Sequence, residues 1–187
     1  MSTTGWIVIA AIVVIVLFVV MLYNGLVAGR NQVEAAWRQI DVQLKRRRDL
    51  VPNLVEAVKG YMGHEQDTLQ AVIKARSAAV SAESGPREGQ IQAEAALSGA
   101  LGRLFALAES YPDLKANQNV MQLQEELTST ENKIAFSRQH YNDSVMAQNT
   151  RVESFPAVLI AGSLGFAKHP YFEATDQDRE VPRVKLR

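Results

Sequence analysis

An unbroken apolar run near the N-terminus limits what this chain can fold into. Residues 6–23 read WIVIAAIVVIVLFVVMLY, 18 residues without a charge. A helix of roughly 18 or more apolar residues is long enough to cross a bilayer. Trp6 and Tyr23 stand at its two ends, where aromatic side chains prefer the membrane–water interface. The run predicts a transmembrane helix whose interface residues are Trp6 and Tyr23.

A cleaved signal peptide is the alternative interpretation of this run. It fits less well, because no Lys or Arg precedes the run and the apolar stretch is too long. Arg30 and Arg38 follow the run, so the positive-inside rule places the body in the cytoplasm. We therefore expect a single-pass protein of the bacterial cytoplasmic (inner) membrane with a cytoplasmic body.

Composition excludes several classes of function. The chain has 187 residues, with 20 Lys and Arg against 20 Asp and Glu. A net charge of zero argues against a nucleic-acid binder, which carries a basic excess. The absence of Cys excludes disulfides, thiolate metal sites and cysteine nucleophiles.

Beyond the apolar run, two long stretches carry residues at alternating steps of three and four, the spacing of a helical-bundle seam. The first stripe is Leu26, Arg30, Val33, Trp37, Ile40, Leu44, Arg47, Val51, Leu54, Val58 and Tyr61. The second is Val120, Leu127, Glu131, Ile134, Arg138, Tyr141, Val145, Gln148, Val152 and Phe155, with Gln124 filling one step. Two shorter helices are expected between them, from His64 to about Ser81 and from Arg87 to Ser110.

These patterns predict an all-α fold: an N-terminal transmembrane helix that continues into an elongated antiparallel four-helix bundle. The expected parts are the anchor (1–23), the bundle (24–155), a short apolar membrane-proximal segment (156–172) and a polar tail (173–187). Asn117 or Asn119 is a candidate cap for the last long helix. Pro52 predicts a kink or a fresh helix start near Asp49.

Antiparallel alignment of the two stripes pairs Arg47 with Glu131 and Trp37 with Tyr141. We therefore expect a structural, buried ion pair between Arg47 and Glu131, since a buried Arg without a partner costs several kcal/mol. A polar layer of Asn24, Asn31, Asn142 and Asn149 is expected at the membrane end.

Arg47 is one of four consecutive cations, which must surround a helix because each residue turns by about 100°. The other three, Lys45, Arg46 and Arg48, are predicted to contact another subunit or an acidic partner. They do not reach their own membrane, because Arg46 lies about 35 Å past Tyr23 along a helix.

A second apolar stretch, AVLIAGSLGF (157–166), follows Pro156 and is too short to span a bilayer. The antiparallel alignment returns it to the bilayer surface, so Phe155, Leu159 and Phe166 are candidate membrane-interface residues. It could enter lipid, dock on the transmembrane helix, meet a neighbouring subunit or cap the open end of the bundle.

No motif for chemistry is found. There is no Glu-x-x-His pair for a di-iron site, no Gly-x-Ser-x-Gly elbow and no Gly-rich phosphate loop. His64, His140 and His169 are scattered along the chain. We expect no catalytic, cofactor or metal residues, no small-molecule substrate and no enzymatic activity.

Four ordered segments resemble the LemA family: YNGLVAGRNQVEAAWRQIDVQLKRRRDLVPNLVEAVKGYMGHE, YPDLKANQNVMQLQEEL, ENKIAFSRQHYNDSVMAQNT and FPAVLIAGSLGF. The resemblance covers nearly the whole chain. It implies an N-terminally anchored bacterial membrane protein with an elongated helical-bundle body, and it implies no catalytic or ligand-binding residues.

The expected function is a membrane-anchored scaffold that associates with copies of itself in the bilayer. The alternative is an adaptor for another membrane protein, such as a membrane protease or a signalling complex.

Overall fold

The computed structural model describes residues 3–62 and 65–172. These residues form five α-helices and no strand. The helices are α1 (Thr3–Lys59), α2 (Gln66–Ala82), α3 (Arg87–Ala108), α4 (Pro112–Lys115) and α5 (Gln118–Glu153), and a 3-10 turn follows at Ala157–Leu159. The all-α prediction is confirmed, including the apolar N-terminal helix that runs on without a break. The helix start expected at His64 and the polar tail 173–187 lie outside the described residues.

The apolar run of helix α1 is not covered by any other part of the described chain. Of the helices in the described part of the chain, α1 alone is long and apolar enough to cross a membrane, and its most apolar stretch packs against nothing. Trp6, at the start of the run, is exposed, as is Phe18 near its end. Such a surface is stable only in an apolar environment, because exposing it to water costs about 25 cal/mol per Å².

The chain folds into two compact units, and α1 and α5 contribute to both. The described residues of the first unit are 3–39 and 137–171, and those of the second are 40–62, 65–136 and Phe172. This grouping cuts through the predicted bundle 24–155, because α2 and α3 pack only within the second unit.

The core of the second unit is formed by four helical stretches, as expected for a four-helix bundle. Its buried residues are Val51, Leu54 and Val58 of α1, Leu69, Val72 and Ala79 of α2, Leu97, Ala100, Leu101 and Leu104 of α3, and Val120 and Leu127 of α5, with Met62 after α1 and Leu114 of the short α4. Asn117 is the cap of α5, since its Oδ1 accepts hydrogen bonds from the backbone N–H groups of Asn119 (3.0 Å) and Val120 (3.2 Å).

In the first unit α1 and α5 pack as a pair in the predicted register. Trp37 and Tyr141 meet edge to face, with ring centroids 5.4 Å apart. Two turns after Tyr141 on α5, the buried Gln148 donates a hydrogen bond from Nε2 to the carbonyl of Leu26 on α1 (3.2 Å). Gly29 makes room for this amide, because a Cβ at Gly29 would overlap it and would lie 2.9 Å from Gln148 Cδ.

Two glycines of α1 give a matched test of this packing. Gly25→Ala should stabilise the protein by up to about 1 kcal/mol, because Ala is the better helix former and nothing lies within 4 Å of a Cβ there. Gly29→Ala gains the same propensity but displaces Gln148, so we expect its melting temperature to fall below that of the wild type. Thermal unfolding of the full-length chain in mild detergent, followed by circular dichroism, measures both. Equal stabilisation by the two changes would contradict the close approach at Gly29.

Candidate functional site

The chain after α5, residues 154–171, turns back and runs along α5 in the first unit. We call it the returned segment. Helix α5 ends at Glu153, and the 3-10 turn and a series of tight turns lead to Gly165. Gly165 has a φ of +76°, a conformation that favours glycine. The turn closes with the backbone N–H of Phe166 donating to the carbonyl of Ala161 (2.9 Å).

Side chains of α5 hold the returning backbone. Asn149 is buried and binds His169 twice: its Nδ2 donates to the His169 carbonyl (3.0 Å) and its Oδ1 accepts from the His169 N–H (2.9 Å). The Tyr141 hydroxyl donates to the carbonyl of Pro170 (3.0 Å), and Lys168 pairs with Glu153. Of the polar layer predicted from four Asn residues, Asn149 is buried, whereas Asn24 and Asn31 are exposed on α1.

Phe166 differs from its prediction as a membrane-interface residue. Its side chain is only 6% exposed and packs with Leu26, Val152 and Ala161. Tyr23 meets it edge to face at 5.8 Å, and the Arg30 guanidinium lies 5.4 Å from its ring centre. The turn at Gly165 reverses the chain, so Phe166 faces the α1–α5 pair instead of the surroundings.

The other predicted interface residues are exposed. Phe155 is 79% exposed and Leu159 is 71% exposed, although both are large apolar side chains. Tyr23 is partly exposed despite its contact with Phe166. A groove of about 270 Å³ separates Met21, Leu22 and Gly25 of α1 from Arg151, Ser154 and Phe155. The returned segment thus docks on the helix pair through one side and presents apolar side chains on the other, beside the end of the apolar run.

A second polar site lies in the core of the second unit, around Arg47. This guanidinium is buried and binds three side chains on two helices: Glu94 Oε2 (2.6 Å) and the hydroxyl of Ser98 on α3, and Glu131 Oε2 (2.5 Å) on α5. The structure therefore places Arg47 beside Glu131, as the alignment predicts. Glu131 has a side chain that is 46% exposed, so only the Arg47 end of this pair is buried.

Arg48 differs from its prediction as a surface contact. It is only 5% exposed and binds Glu94 Oε1 at 2.8 Å and Glu83 Oε1 at 3.1 Å. Glu94 is buried between the two arginines and uses one oxygen for each. Two neighbouring positions on α1 both face inward because α2 and α3 cover the side of α1 next to Arg47. Lys45 and Arg46 are exposed, and Lys45 pairs with Asp49 (2.9 Å).

Pro52 lies inside α1 and the helix neither stops nor restarts at Asp49. Pro52 has no N–H, so the carbonyl of Arg48, four residues earlier, loses its helical partner. Arg76 of α2 replaces it, donating from Nε to that carbonyl at 2.8 Å. The expected restart is wrong because a side chain from the neighbouring helix satisfies the orphaned group.

This polar cluster consists of Arg47, Arg48, Arg76, Glu83, Glu94 and Glu131, three cations and three anions. Its charged groups bind one another or the backbone, which fixes how α1, α2, α3 and α5 pack. Within residues 3–62 and 65–172, no group of three His, Asp or Glu side chains is arranged to hold a metal ion. The arrangement is suited to fixing helix register.

Comparison with known proteins agrees with this architecture. The model of the LemA family matches residues 36–186, most of the chain. The chain belongs to the LemA family. The match begins after the apolar run and includes the polar cluster, α5 and the returned segment.

Curated relatives of this LemA-family chain span most of its length. Protein LemA of Metamycoplasma hominis is 26% identical over 88% of this chain and 75% of its own length. Magnetosome protein MamQ of Magnetospirillum gryphiswaldense is 23% identical over 87% of this chain and 68% of its own length. Magnetosome protein MamQ 2 of Paramagnetospirillum magneticum is 23% identical, over 87% and 69%. Family membership and the apolar helix together describe a membrane-associated protein.

The sequence did not reveal Glu94, Glu83, Ser98 or Arg76 as important polar residues. The spacing of Glu94 indicated that it faces the core, because Glu94, Leu97 and Leu101 follow one another at steps of three and four residues. A charged residue at such a position is read as a boundary of the apolar face unless a partner is known. Its partners Arg47 and Arg48 lie 47 and 46 residues away.

Removing one carboxylate from this cluster should have an effect that depends on burial. Glu94→Gln leaves two buried guanidinium groups without their shared anion, and we expect it to lower the free energy of unfolding by about 3–5 kcal/mol. Glu131→Gln should cost less than about 1 kcal/mol, because Glu131 is half exposed. Denaturant unfolding of the full-length chain measures both, with the exposed Glu88→Gln on α3 as the control. If Glu94→Gln matches Glu88→Gln, the buried cluster does not hold the second unit together.

The clamp on the returned segment can be tested separately. Asn149→Ala removes both hydrogen bonds to His169, so amide hydrogen exchange at His169 should accelerate about tenfold. Asn31→Ala, at an exposed position of α1, is the control and should leave that rate unchanged. An unchanged rate in Asn149→Ala would show that the segment is held by other contacts.

Proposed function

We propose that this LemA-family chain is a non-enzymatic, membrane-anchored scaffold whose copies associate in the bilayer. The observation that carries the proposal is the outer face of α5 in the second unit, which the fold leaves uncovered. Phe136 is 74% exposed there, and Met121 on the same face is half exposed. Large apolar side chains outside a membrane span and outside the core mark contact surfaces.

The anchor is the uncovered run of α1, in the bacterial cytoplasmic membrane with the body on the cytoplasmic side. Support for this orientation comes from Arg30 and Arg38 after the run and from the absence of Lys or Arg before it. Anchoring raises the frequency of encounters between copies, because it confines them to one plane.

Charge supports contact between copies. The outer face of α5 carries Glu125 between Met121 and Phe136, and the outer face of α1 carries Lys45 and Arg46 beside the exposed Val42. In the proposed contact Arg46 of one copy meets Glu125 of the next. A net charge of zero removes the repulsion that keeps strongly charged proteins apart. Because the two faces differ, the contact is heterologous and extends to further copies as a ring or a filament.

The polar groups gathered in the described part of the chain support a non-enzymatic role. Catalytic acids and bases need an accessible position next to substrate. The carboxylate of Glu94, the most buried of the cluster, instead binds two arginines through its two oxygens.

A second candidate function is an adaptor for another membrane protein, such as a membrane protease or a signalling complex. It is favoured by a different apolar face on α2, where Ile73 and Val80 lie seven residues apart and are both substantially exposed. A face of this kind, two helical turns long, fits a helix of another protein.

Charge reversal separates the two functions. We expect the full-length chain in mild detergent to form a uniform multi-copy assembly by light scattering after gel filtration. Arg46→Glu and Glu125→Arg should each reduce the mass, since each places like charges together, and the double variant should restore it. Arg103→Glu, at an exposed position of α3, is the control.

A chain lacking residues 1–22 reports on the anchor and should be monomeric. If the full-length wild type is itself monomeric, the scaffold proposal fails and the adaptor remains. If the wild type assembles but the double variant does not recover the mass of the wild type, copies associate through other surfaces.

A further inference from the structure

The groove between α1 and the end of α5 has the composition of a lipid site. Its α1 side consists of Met21, Leu22, Gly25 and Leu26, at the point where the apolar run ends. The facing side is mixed, with the guanidinium of Arg151, the hydroxyls of Thr150 and Ser154 and the apolar side chains of Phe155, Pro156 and Ala157. An apolar wall opposite a cation and a hydroxyl matches a molecule with an acyl chain and an anionic head.

Gly25 makes the groove open. No atom lies within 4 Å of the position that a Cβ would take at Gly25, so the space there is unfilled. By contrast, at Gly29, one turn later, the side chain of Gln148 occupies the space that a Cβ would take. Arg151 Nη1 lies 2.6 Å from that Cβ position. Arg151 therefore lies along α1 just beyond the open part of the groove, where a head group would sit if its chains followed Leu22 and Met21 towards the bilayer.

Charge around the groove favours an anion. Among the described residues of the first unit, the cations are Arg30, Arg38, Arg138, Arg151 and Lys168, and the anions are Glu34, Asp143 and Glu153. Five cations against three anions give a net charge of +2 for these residues. Glu153, the anion next to the groove in sequence, is paired with Lys168. A phosphate group bound to a guanidinium makes strong, charge-assisted hydrogen bonds.

We propose that this groove binds one anionic phospholipid from the bilayer that holds α1. Its phosphate contacts Arg151 and Ser154, and an acyl chain lies against Met21, Leu22 and Gly25. The occupant is a membrane lipid because the groove is continuous with the uncovered apolar surface of α1 and is flanked by Phe155, which is also exposed. The site does not depend on the proposed self-association.

Native mass spectrometry of the full-length chain, released from detergent with added lipid, tests the site. The probes are phosphatidylglycerol, which is anionic, and phosphatidylcholine, which has no net charge. We expect one phosphatidylglycerol to bind at least several-fold more tightly than phosphatidylcholine. Arg151→Gln should weaken phosphatidylglycerol binding about tenfold, the loss of one charge-assisted contact, and Arg151→Lys should retain most of it.

Gly25→Leu tests the apolar half, because a Cβ at this position meets no atom within 4 Å and the new side chain should occupy the groove and abolish lipid binding. Gly102→Leu and Arg103→Gln, at exposed positions of α3, are the matched controls, and circular dichroism checks the helix content of every variant. The proposal is wrong if both lipids bind equally, or if Arg151→Gln and Gly25→Leu bind phosphatidylglycerol as the controls do. It is also wrong if Gly25→Leu changes the number of protein copies but not lipid binding, since the groove then receives another chain.

Discussion

The buried carboxylate of Glu94 is the interaction on which the second unit depends. It lies between Arg47 and Arg48, two consecutive residues of α1, and through them it ties α3 to α1. Arg47 continues to α5 through Glu131, and Arg48 continues to the end of α2 through Glu83 and the carbonyl of Ala79. Buried ion pairs add little stability compared with well-packed apolar residues, because desolvation offsets their attraction. Their role here is to allow one register of the four helices, since any slip would leave a buried charge unpaired.

The packing of the first unit depends on the small volume of Gly29 and on the side-chain amides of Gln148 and Asn149. Gly29 lets α5 approach α1 closely enough for Gln148 to reach the Leu26 carbonyl. One residue further, Asn149 binds the backbone of the returned segment and keeps Phe166 in its buried position. Both contacts join a side-chain amide to a backbone group, and the pair made by Asn149 satisfies polar backbone atoms of a segment that is neither helix nor sheet. Phe155 and Leu159 are left exposed beside the end of the apolar run.

Much of this fold could be predicted from the sequence, because the seam spacing fixes which sides of α1 and α5 face each other. The contact of Trp37 with Tyr141 and the position of Arg47 beside Glu131 both follow from one antiparallel alignment. The shorter helices were less predictable. On α2 the buried residues are Leu69, Val72 and Ala79, whereas the larger Ile73 and Val80 are exposed. The burial of Arg48 and Phe166 could be seen only in the folded structure. Helices α2 and α3 cover Arg48, and the turn at Gly165 reverses the chain so that Phe166 faces the α1–α5 pair. No local pattern encodes either event.

This LemA-family protein joins an apolar helix, long enough to cross a membrane, to a helical body. The buried charged residues of that body bind one another and hold the helices in register. Its outer faces carry exposed apolar side chains together with charges of both signs. We propose that such bodies meet through the outer faces of α1 and α5. Cysteine cross-linking in intact membranes tests it most directly, because the chain has no Cys of its own. Two differently tagged chains, Arg46→Cys and Glu125→Cys, are produced together and oxidised. If the two faces meet, we expect a mixed disulfide between the two tagged chains and few pairs of like-tagged chains. Monomers alone, or like-tagged pairs in equal amount, would contradict it.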